Sequence, residues 1–189
     1  MDSSGRLVRA LVLVGAVALA GALPFAVRSR FESVWIPSAS MAPTLLVGDY
    51  VLMDKSTHWP GRGEMVVFVD PADPDQLLVK RIVAVGGDEI VVDGHAVYVN
   101  CEPGAEGCRP LTEPYADWSD MARAAGNAGP VRIPSEAVFV MADNRKAGED
   151  SRHWGPLARD RIVGRPVWIY WSSDAEGGTR WARIGLRLH

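Results

Sequence analysis

Two short clusters in the sequence carry side chains that could act together as nucleophile and base. Residues 36–46 read IPSASMAPTLL and hold two serine hydroxyls two residues apart, Ser38 and Ser40, in a segment flanked by prolines. Residues 77–87 read LLVKRIVAVGG and hold one lysine, Lys80. A serine hydroxyl is a weak nucleophile until a neighbouring base accepts its proton, and a neutral amine can be that base. The two clusters therefore point to covalent chemistry at a serine.

Lys80 stands inside a predicted strand. A period of two places it on the same face as Leu78 and Ile82. An ammonium on an apolar face loses hydration, which lowers its pKa and makes the neutral amine available as a base near neutral pH. The alternative is that Lys80 lies on an edge strand and extends its ammonium into water.

The other reactive side chains form no recognisable site. The four histidines are His58, His95, His153 and His189. They have neither the i,i+4 spacing of metal ligands nor an accompanying G-x-S-x-G motif. We therefore predict no metal site, no cofactor and no Ser-His-Asp triad.

Cys101 and Cys108 are the only cysteines, and they close the short loop CEPGAEGC. A pair this isolated does not make a four-ligand zinc site, but its spacing permits a disulfide. Because disulfides persist in oxidising compartments, a bridge would favour a location outside the cytoplasm. The alternative is two reduced thiols in a surface loop.

The elements that position these residues are mainly strands. Runs rich in β-branched and aromatic residues, bounded by Gly, Pro and Asp, predict strands at residues 50–53, 64–69, 77–85, 89–100, 137–142 and 161–171. Asp93-Gly94 predicts a type I′ hairpin within the fourth run. Residues 101–130 read as a variable excursion with a short helix near 115–125.

Length and charge limit the class of protein. The chain has 189 residues, which fits one domain with a short appendage. Twenty Lys and Arg against 23 Asp and Glu give a formal charge of -3. We therefore expect no nucleic-acid partner, because no global basic field is present.

Residues 10–27 read ALVLVGAVALAGALPFAV, a run without charged or hydrogen-bonding side chains. As a helix, about 18 residues reach roughly 27 Å, enough to span a bilayer. The alternative is a cleaved secretory signal, with Arg6 and Arg9 as its basic region. Arginines flank the run on both sides, so the charge distribution leaves its orientation open.

Five ordered segments resemble the type I signal peptidases, membrane-bound Ser-Lys proteases that remove signal peptides. They are PSASMAPTL (37–45), GDYVLMDK (48–55), GEMVVF (63–68), VKRIVAVGGD (79–88) and ADNRKAGEDSRHWG (142–155). The tail WARIGLRLH also resembles the family's C-terminus. Several motifs in order are far more specific than one short motif.

The resemblance implies roles for individual residues. Ser40 would be the nucleophile and Lys80 the general base, and the Ser38 hydroxyl with the Ser40 amide would form the oxyanion hole. It also implies cleavage after small residues at positions −1 and −3 of exported preproteins. The supporting motif would comprise Arg81, Asp143, Asn144, Arg145, Asp150, Ser151 and Arg152. We expect Arg81, Asp150 and Arg152 to pair and hold the Lys80 strand against this loop.

Two positions depart from the family pattern: Ala142 replaces a glycine, and Gly148 replaces a serine whose hydroxyl helps to orient the lysine. If Gly148 has a negative φ, restoring serine should raise the cleavage rate modestly. If it has a positive φ, substitution should cost both activity and stability.

The resemblance also implies an organisation for the chain. Residues 1–9 would be cytoplasmic, 10–27 a retained transmembrane signal anchor, 28–34 a linker, and 35–189 an extracytoplasmic catalytic domain. The fold would be a signal-peptidase-like complex β fold of antiparallel sheets, partly barrel-like, with one N-terminal transmembrane helix. Its partners would be preprotein signal peptides and the lipid bilayer of the plasma membrane. We expect a monomer near the secretion translocon.

Three alternatives stay open from the sequence. One is a related peptidase with a narrow set of clients. Another is the related Ser-Lys self-cleaving SOS repressor, which is disfavoured because a membrane segment stands in place of a DNA-binding domain. The third is an inactive homologue that acts as a scaffold or preprotein receptor, an idea supported by Gly148.

Overall fold

The protein is built mainly from β-strands in antiparallel sheets, which confirms the mainly β part of the predicted fold. A computed structural model describes residues 29–56, 60–119 and 127–188. The strands in these ranges are β1 (Phe31–Trp35), β2 (Asp49–Asp54), β3 (Met65–Val69), β4 (Leu77–Val85), β5 (Glu89–Asp93), β6 (Ala96–Val99), β7 (Ala128–Arg132), β8 (Ala137–Met141), β9 (Leu157–Ala158) and β10 (Ile162–Ser172). The helical elements that lie wholly within these ranges are the short helix α1 (Ser151–Trp154) and the 3₁₀ turns Arg159–Arg161 and Trp181–Arg183, and residues 29–30 are also helical.

The strands form two antiparallel sheets. The larger has the order β1-β2-β10-β3-β4-β8-β9, and the smaller has the order β6-β5-β7. β10 pairs with β3 near its start and with β2 along the rest, with register shifts after Pro166 and after Ile169. Such irregularities bend a strand and increase its twist. The larger sheet therefore curls around β10.

β4 is an interior strand of this sheet, and its predicted bounds match the structure. It pairs with β3 along one side and with β8 along the other. Alternate residues of β3 enter separate apolar clusters, with Val67 in one and Val66 and Phe68 in another. The sheet is thus covered by apolar packing on both faces near β4, which suits its continuous apolar run.

The hairpin between β5 and β6 forms, but its predicted turn is wrong by one residue. Asp93 pairs with Ala96, so the two-residue loop is Gly94-His95. Gly94 has φ 60°, whereas His95 has no positive φ, which is the pattern of a type II′ turn. This register places Ile90 opposite Val99 and Val92 opposite Val97, so four aliphatic side chains share one face.

Within the excursion, the predicted helix near 115–125 is wrong for the part that is described. Residues 115–119 form a turn and a β-bridge, and residues 120–126 lie outside the described ranges. The Asp117 N–H donates to the Asp143 carbonyl at 2.7 Å, and the Asp117 carbonyl accepts from the Arg145 N–H at 2.9 Å. These long-range bonds replace the bonds that a helix would make.

Three strands had no clear sequence signal. β7 contains Gly129-Pro130, a composition typical of loops, and β9 has only two residues. β1 overlaps the linker expected over 28–34 and pairs with β2 from Phe31 to Trp35. Arg30 reinforces this start through two hydrogen bonds to the Asp54 carboxylate.

The segment expected to span a membrane, residues 10–27, lies outside the described ranges. Among the residues that are described, no helix is both long and apolar enough to cross a bilayer.

Cys101 and Cys108 are joined by a disulfide.

Candidate active site

Ser38 and Ser40 lie in the turn that follows β1. Ser38 is exposed and Ser40 is half-buried, and their hydroxyl oxygens are 3.2 Å apart. The turn is anchored by Met41 and Leu45, which are buried in the core and joined by a backbone hydrogen bond of 2.8 Å. A rigid turn therefore presents both hydroxyls at the surface.

Lys80 lies at the middle of β4 and is only 3% exposed. The edge-strand alternative is wrong, because β4 is flanked by β3 and β8. Burial lowers the pKa of Lys80, and this effect outweighs the opposing influence of the Asp150 carboxylate. The structure thus gives Lys80 the desolvated setting in which a lysine loses its proton more easily.

Gly148 brings the two clusters into one location. A Cβ atom built on Gly148 would lie 3.2 Å from Ser40 Cβ and 3.3 Å from Lys80 Nζ. Since both atoms lie within 3.3 Å of one point, the side chains of Ser40 and Lys80 are neighbours across this glycine. Gly148 has φ +89°, a conformation that favours glycine.

Arg81 forms an ion pair with Asp143. This corrects the expectation that Arg81 pairs with Asp150 and Arg152. Arg81 Nε and Nη2 donate to the two Asp143 oxygens at 2.9 and 2.8 Å. Arg81 lies opposite Met141 in the sheet, so Asp143, two residues further on, follows on the same face. The ion pair is buried on both sides.

Asp150 and Arg152 pair with each other, as expected, and close the loop after β8. Arg152 Nε and Nη2 donate to the Asp150 carboxylate at 2.9 and 2.8 Å, and the Ala142 N–H donates to it at 2.9 Å. Burial alone would raise the pKa of Asp150, but these bonds outweigh it and keep the pKa below its usual value. Asp150 also caps α1.

The remaining members of the predicted supporting motif make separate contacts. The Ser151 hydroxyl accepts from the Val140 N–H at 3.0 Å. The Asn144 N–H donates to the Ser40 carbonyl at 3.0 Å, so this residue directly holds the turn that carries Ser38 and Ser40. Arg145 donates to both oxygens of Glu113, at 3.0 and 2.6 Å.

Sequence reasoning missed several residues that surround the site. Thr44 donates its hydroxyl to Asp143 at 2.6 Å, and its carbonyl accepts from Arg183 at 2.9 Å. Glu113 and Tyr115 come from the excursion, which was read as variable. Their roles depend on contacts with residues far away in the sequence, so no local pattern marks them.

Comparison with known proteins identifies the family. A family model described as signal peptidase, peptidase S26, matches residues 6–171, which is most of the chain. The chain belongs to the signal peptidase family S26. This membership confirms the resemblance carried by the five ordered motifs.

Individual relatives carry the same description. Probable signal peptidase I-2 of Synechocystis sp. is 35% identical over 149 residues, which cover 74% of this chain and 63% of the relative. Signal peptidase I of Leptolyngbya laminosa is 31% identical over 156 residues, which cover 77% of this chain and 71% of the relative. A crystal structure of a signal peptidase I from Enterococcus faecalis V583 matches with TM-score 0.47 and 22% identity, over 58% of this chain and 98% of that one.

Membership of this signal peptidase family assigns the chemistry at the level of class. The chain is a serine peptidase, a hydrolase that cleaves signal peptides.

Proposed function

We propose that this chain is a membrane-anchored Ser-Lys signal peptidase in which Ser40 is the nucleophile and Lys80 the general base. The observation that carries the proposal is that Ser40 Cβ and Lys80 Nζ both lie close to Gly148, within 3.3 Å of the position a Cβ atom would take there. It is supported by the burial of Lys80, because a desolvated lysine is the form of this residue that can accept a proton near neutral pH.

In the acylation step, Lys80 Nζ accepts the proton of the Ser40 hydroxyl while Oγ attacks the carbonyl carbon of the scissile bond. The tetrahedral intermediate collapses, the C–N bond breaks, and the Lys80 ammonium returns its proton to the leaving amine. The mature protein departs with a free amino terminus. The signal peptide stays attached to Ser40 as an ester.

Deacylation uses the same base. Lys80 Nζ accepts a proton from water as the water oxygen attacks the ester carbonyl, and Ser40 Oγ leaves and recovers a proton from Lys80. The Ser38 hydroxyl and the Ser40 N–H donate to the oxyanion in both steps. Each such donor is typically worth about 3 kcal/mol in the transition state. The position of Ser38 Oγ, 3.2 Å from Ser40 Oγ, supports this role.

The supporting residues hold the two catalytic side chains together. The Arg81–Asp143 pair connects the strand of Lys80 to the loop after β8, and Asn144 connects that loop to Ser40. The Asp150–Arg152 pair braces the same loop. Arg145 and Ser151 fix its two ends against Glu113 and β8.

The proposed substrate is the signal peptide of an exported preprotein with small residues at positions −1 and −3. Residues 10–27 are the proposed membrane anchor, with residues 1–9 in the cytoplasm and the β body outside. The Cys101–Cys108 disulfide supports this orientation, because disulfides persist in oxidising compartments. We propose that the enzyme acts as a monomer near the secretion translocon.

A cleavage assay with a synthetic preprotein tests the dyad. Ser40→Ala, Lys80→Ala and Lys80→Arg should each lower the rate by several orders of magnitude without lowering the thermal midpoint enough to unfold the protein. Lys80→Arg is the discriminating variant, because it keeps the charge but cannot release a proton at usable pH. Retention of more than about a tenth of the wild-type rate in any of the three would overturn the assignment.

A further inference from the structure

Residues 113–118, which we call the arginine clamp, cover two buried arginines beside the proposed dyad. The Tyr115 ring centroid lies 4.0 Å from the Arg81 guanidinium carbon, and the Trp118 centroid lies 4.8 Å from that of Arg145. Both arginines are almost fully buried, at 4% and 1% exposure. Aromatic side chains of the 101–130 excursion therefore cover arginines that lie beside the proposed site.

Tyr115 completes the surroundings of Arg81. The edge of the guanidinium is taken by hydrogen bonds to the Asp143 carboxylate and to the Gly63 carbonyl at 2.7 Å. The tyrosine ring lies over the face of the guanidinium, out of the plane of those bonds. A cation over an aromatic face gains most when water is excluded, as it is here.

The pair beneath this ring joins the two halves of the dyad. Arg81 follows Lys80 directly on β4. Asp143 precedes Asn144, whose N–H donates to the Ser40 carbonyl. A shift of the Arg81–Asp143 pair would therefore change the distance between the nucleophile and its base.

We propose that Tyr115 is a positioning residue for the reaction: its ring excludes water from the Arg81–Asp143 pair and so keeps Ser40 and Lys80 in register. The inference rests on the proposed function of those two residues. The ring carries this role. The Tyr115 hydroxyl donates to Glu113 at 3.2 Å, and we assign it no part in covering Arg81.

The experiment compares Tyr115→Phe, which keeps the ring, with Tyr115→Leu and Tyr115→Met, which keep apolar volume without it. Phe31→Leu is the matched control, because it removes a ring from another arginine, Arg30, whose carbon lies 5.1 Å from the Phe31 centroid. The readouts are kcat, KM and the acid limb of the pH profile with a synthetic preprotein, together with the thermal midpoint.

Tyr115→Phe and Phe31→Leu should keep kcat within about twofold of wild type. The Leu and Met variants should lower kcat about tenfold, equivalent to about 1.4 kcal/mol, with KM nearly unchanged. Their acid limb should move to higher pH, because a shift of the Arg81–Asp143 pair moves the β4 backbone, lessens the desolvation of Lys80 and so favours its charged form. A purely structural role would lower the thermal midpoint alone.

Wild-type kcat and an unshifted acid limb in a folded Leu or Met variant would overturn the inference. A Tyr115→Phe variant with kcat below a third of the wild-type value would also overturn it. This second comparison remains valid even if Tyr115→Leu and Tyr115→Met do not fold. These outcomes are separable from failure of the proposed function, which Ser40→Ala and Lys80→Ala test independently. If those two are inactive and Tyr115→Leu is normal, the dyad stands and only the positioning role fails.

Discussion

Substitution of Gly148 is the sharpest test of how closely the loop after β8 approaches Ser40 and Lys80. The family pattern places serine here, and on that pattern alone Gly148→Ser would add a hydrogen bond to Lys80. The structure predicts the opposite result. Gly148 has φ +89°, and any Cβ atom would lie 3.2 Å from Ser40 Cβ and 3.3 Å from Lys80 Nζ.

The magnitude follows from two separate costs. Backbone strain at a non-glycine residue with positive φ costs about 1–3 kcal/mol of stability. The contact with Ser40 is tighter than ordinary van der Waals packing, so the dyad must open by a few tenths of an ångström. A new hydrogen bond contributes only about 1 kcal/mol net. We therefore expect Gly148→Ala and Gly148→Ser to lose stability and to lower kcat by about tenfold or more.

Gly155 supplies the matched control. It has φ +85° and lies just after α1, in the same connection between β8 and β9, but a Cβ atom there would meet nothing within 4 Å. Gly155→Ala should therefore show the strain cost in its thermal midpoint while kcat stays at the wild-type value. The difference between the Gly148 and Gly155 variants isolates the contact with Ser40 and Lys80.

The assay combines urea unfolding with steady-state cleavage of a synthetic preprotein. A Gly148→Ala variant that matches Gly155→Ala in both stability and kcat would refute the close approach of the loop to the dyad. A Gly148→Ser variant faster than wild type would refute the steric reasoning and restore the hydrogen-bond interpretation.

Three further predictions concern the charges and donors of the site. Because burial lowers the pKa of Lys80, the unfolded chain binds more protons than the folded one between that pKa and about 10.4, so the free energy of unfolding of the wild type should rise with pH across this window. Urea unfolding of Lys80→Met should lack this rise. Parallel plots of unfolding free energy against pH for the two proteins would contradict the prediction. Ser38→Ala should lower the maximal cleavage rate by about 10²–10³ and leave the acid limb in place, whereas a shifted limb with an unchanged maximum would assign Ser38 to tuning the base. Arg152→Met should lower the free energy of unfolding by about 3–5 kcal/mol at pH 7, because it removes the arginine that pairs with the buried Asp150 carboxylate. A loss below about 1 kcal/mol in urea unfolding would mean that the backbone N–H donors alone stabilise this carboxylate.

Local pattern predicted the strands well where apolar residues are continuous or alternate. β4 has its predicted bounds because Leu77–Val85 is an apolar run with two cations in its middle. The hairpin turn was misplaced by one residue, since Asp93-Gly94 is a good turn dipeptide but cross-strand pairing of Val92 with Val97 decides the register. Side-chain packing on the shared face outweighs the preference of the turn.

The partners within the site could not be predicted in the same way. Arg81 and Asp143 are 62 residues apart in the sequence. Several carboxylates lie in the segment 142–155, and only the register of β4 against β8 decides that Asp143 is the one that pairs with Arg81. Tyr115 was assigned to a helix because its segment is rich in Ala and acids. The bridge between Asp117 and Asn144 overrides that weak preference and carries the ring onto Arg81.

The pH dependence of kcat/KM tests the central claim most directly, because it reports the base of the free enzyme. The account predicts an acid limb with an apparent pKa well below the value of about 10.4 of a solvated lysine, since Lys80 is buried on an interior strand. Ser38→Ala should reproduce that limb at a lower plateau. A profile that still climbs steeply above about pH 10 would contradict the account, because Lys80 would then be a solvated ammonium rather than a base prepared by burial.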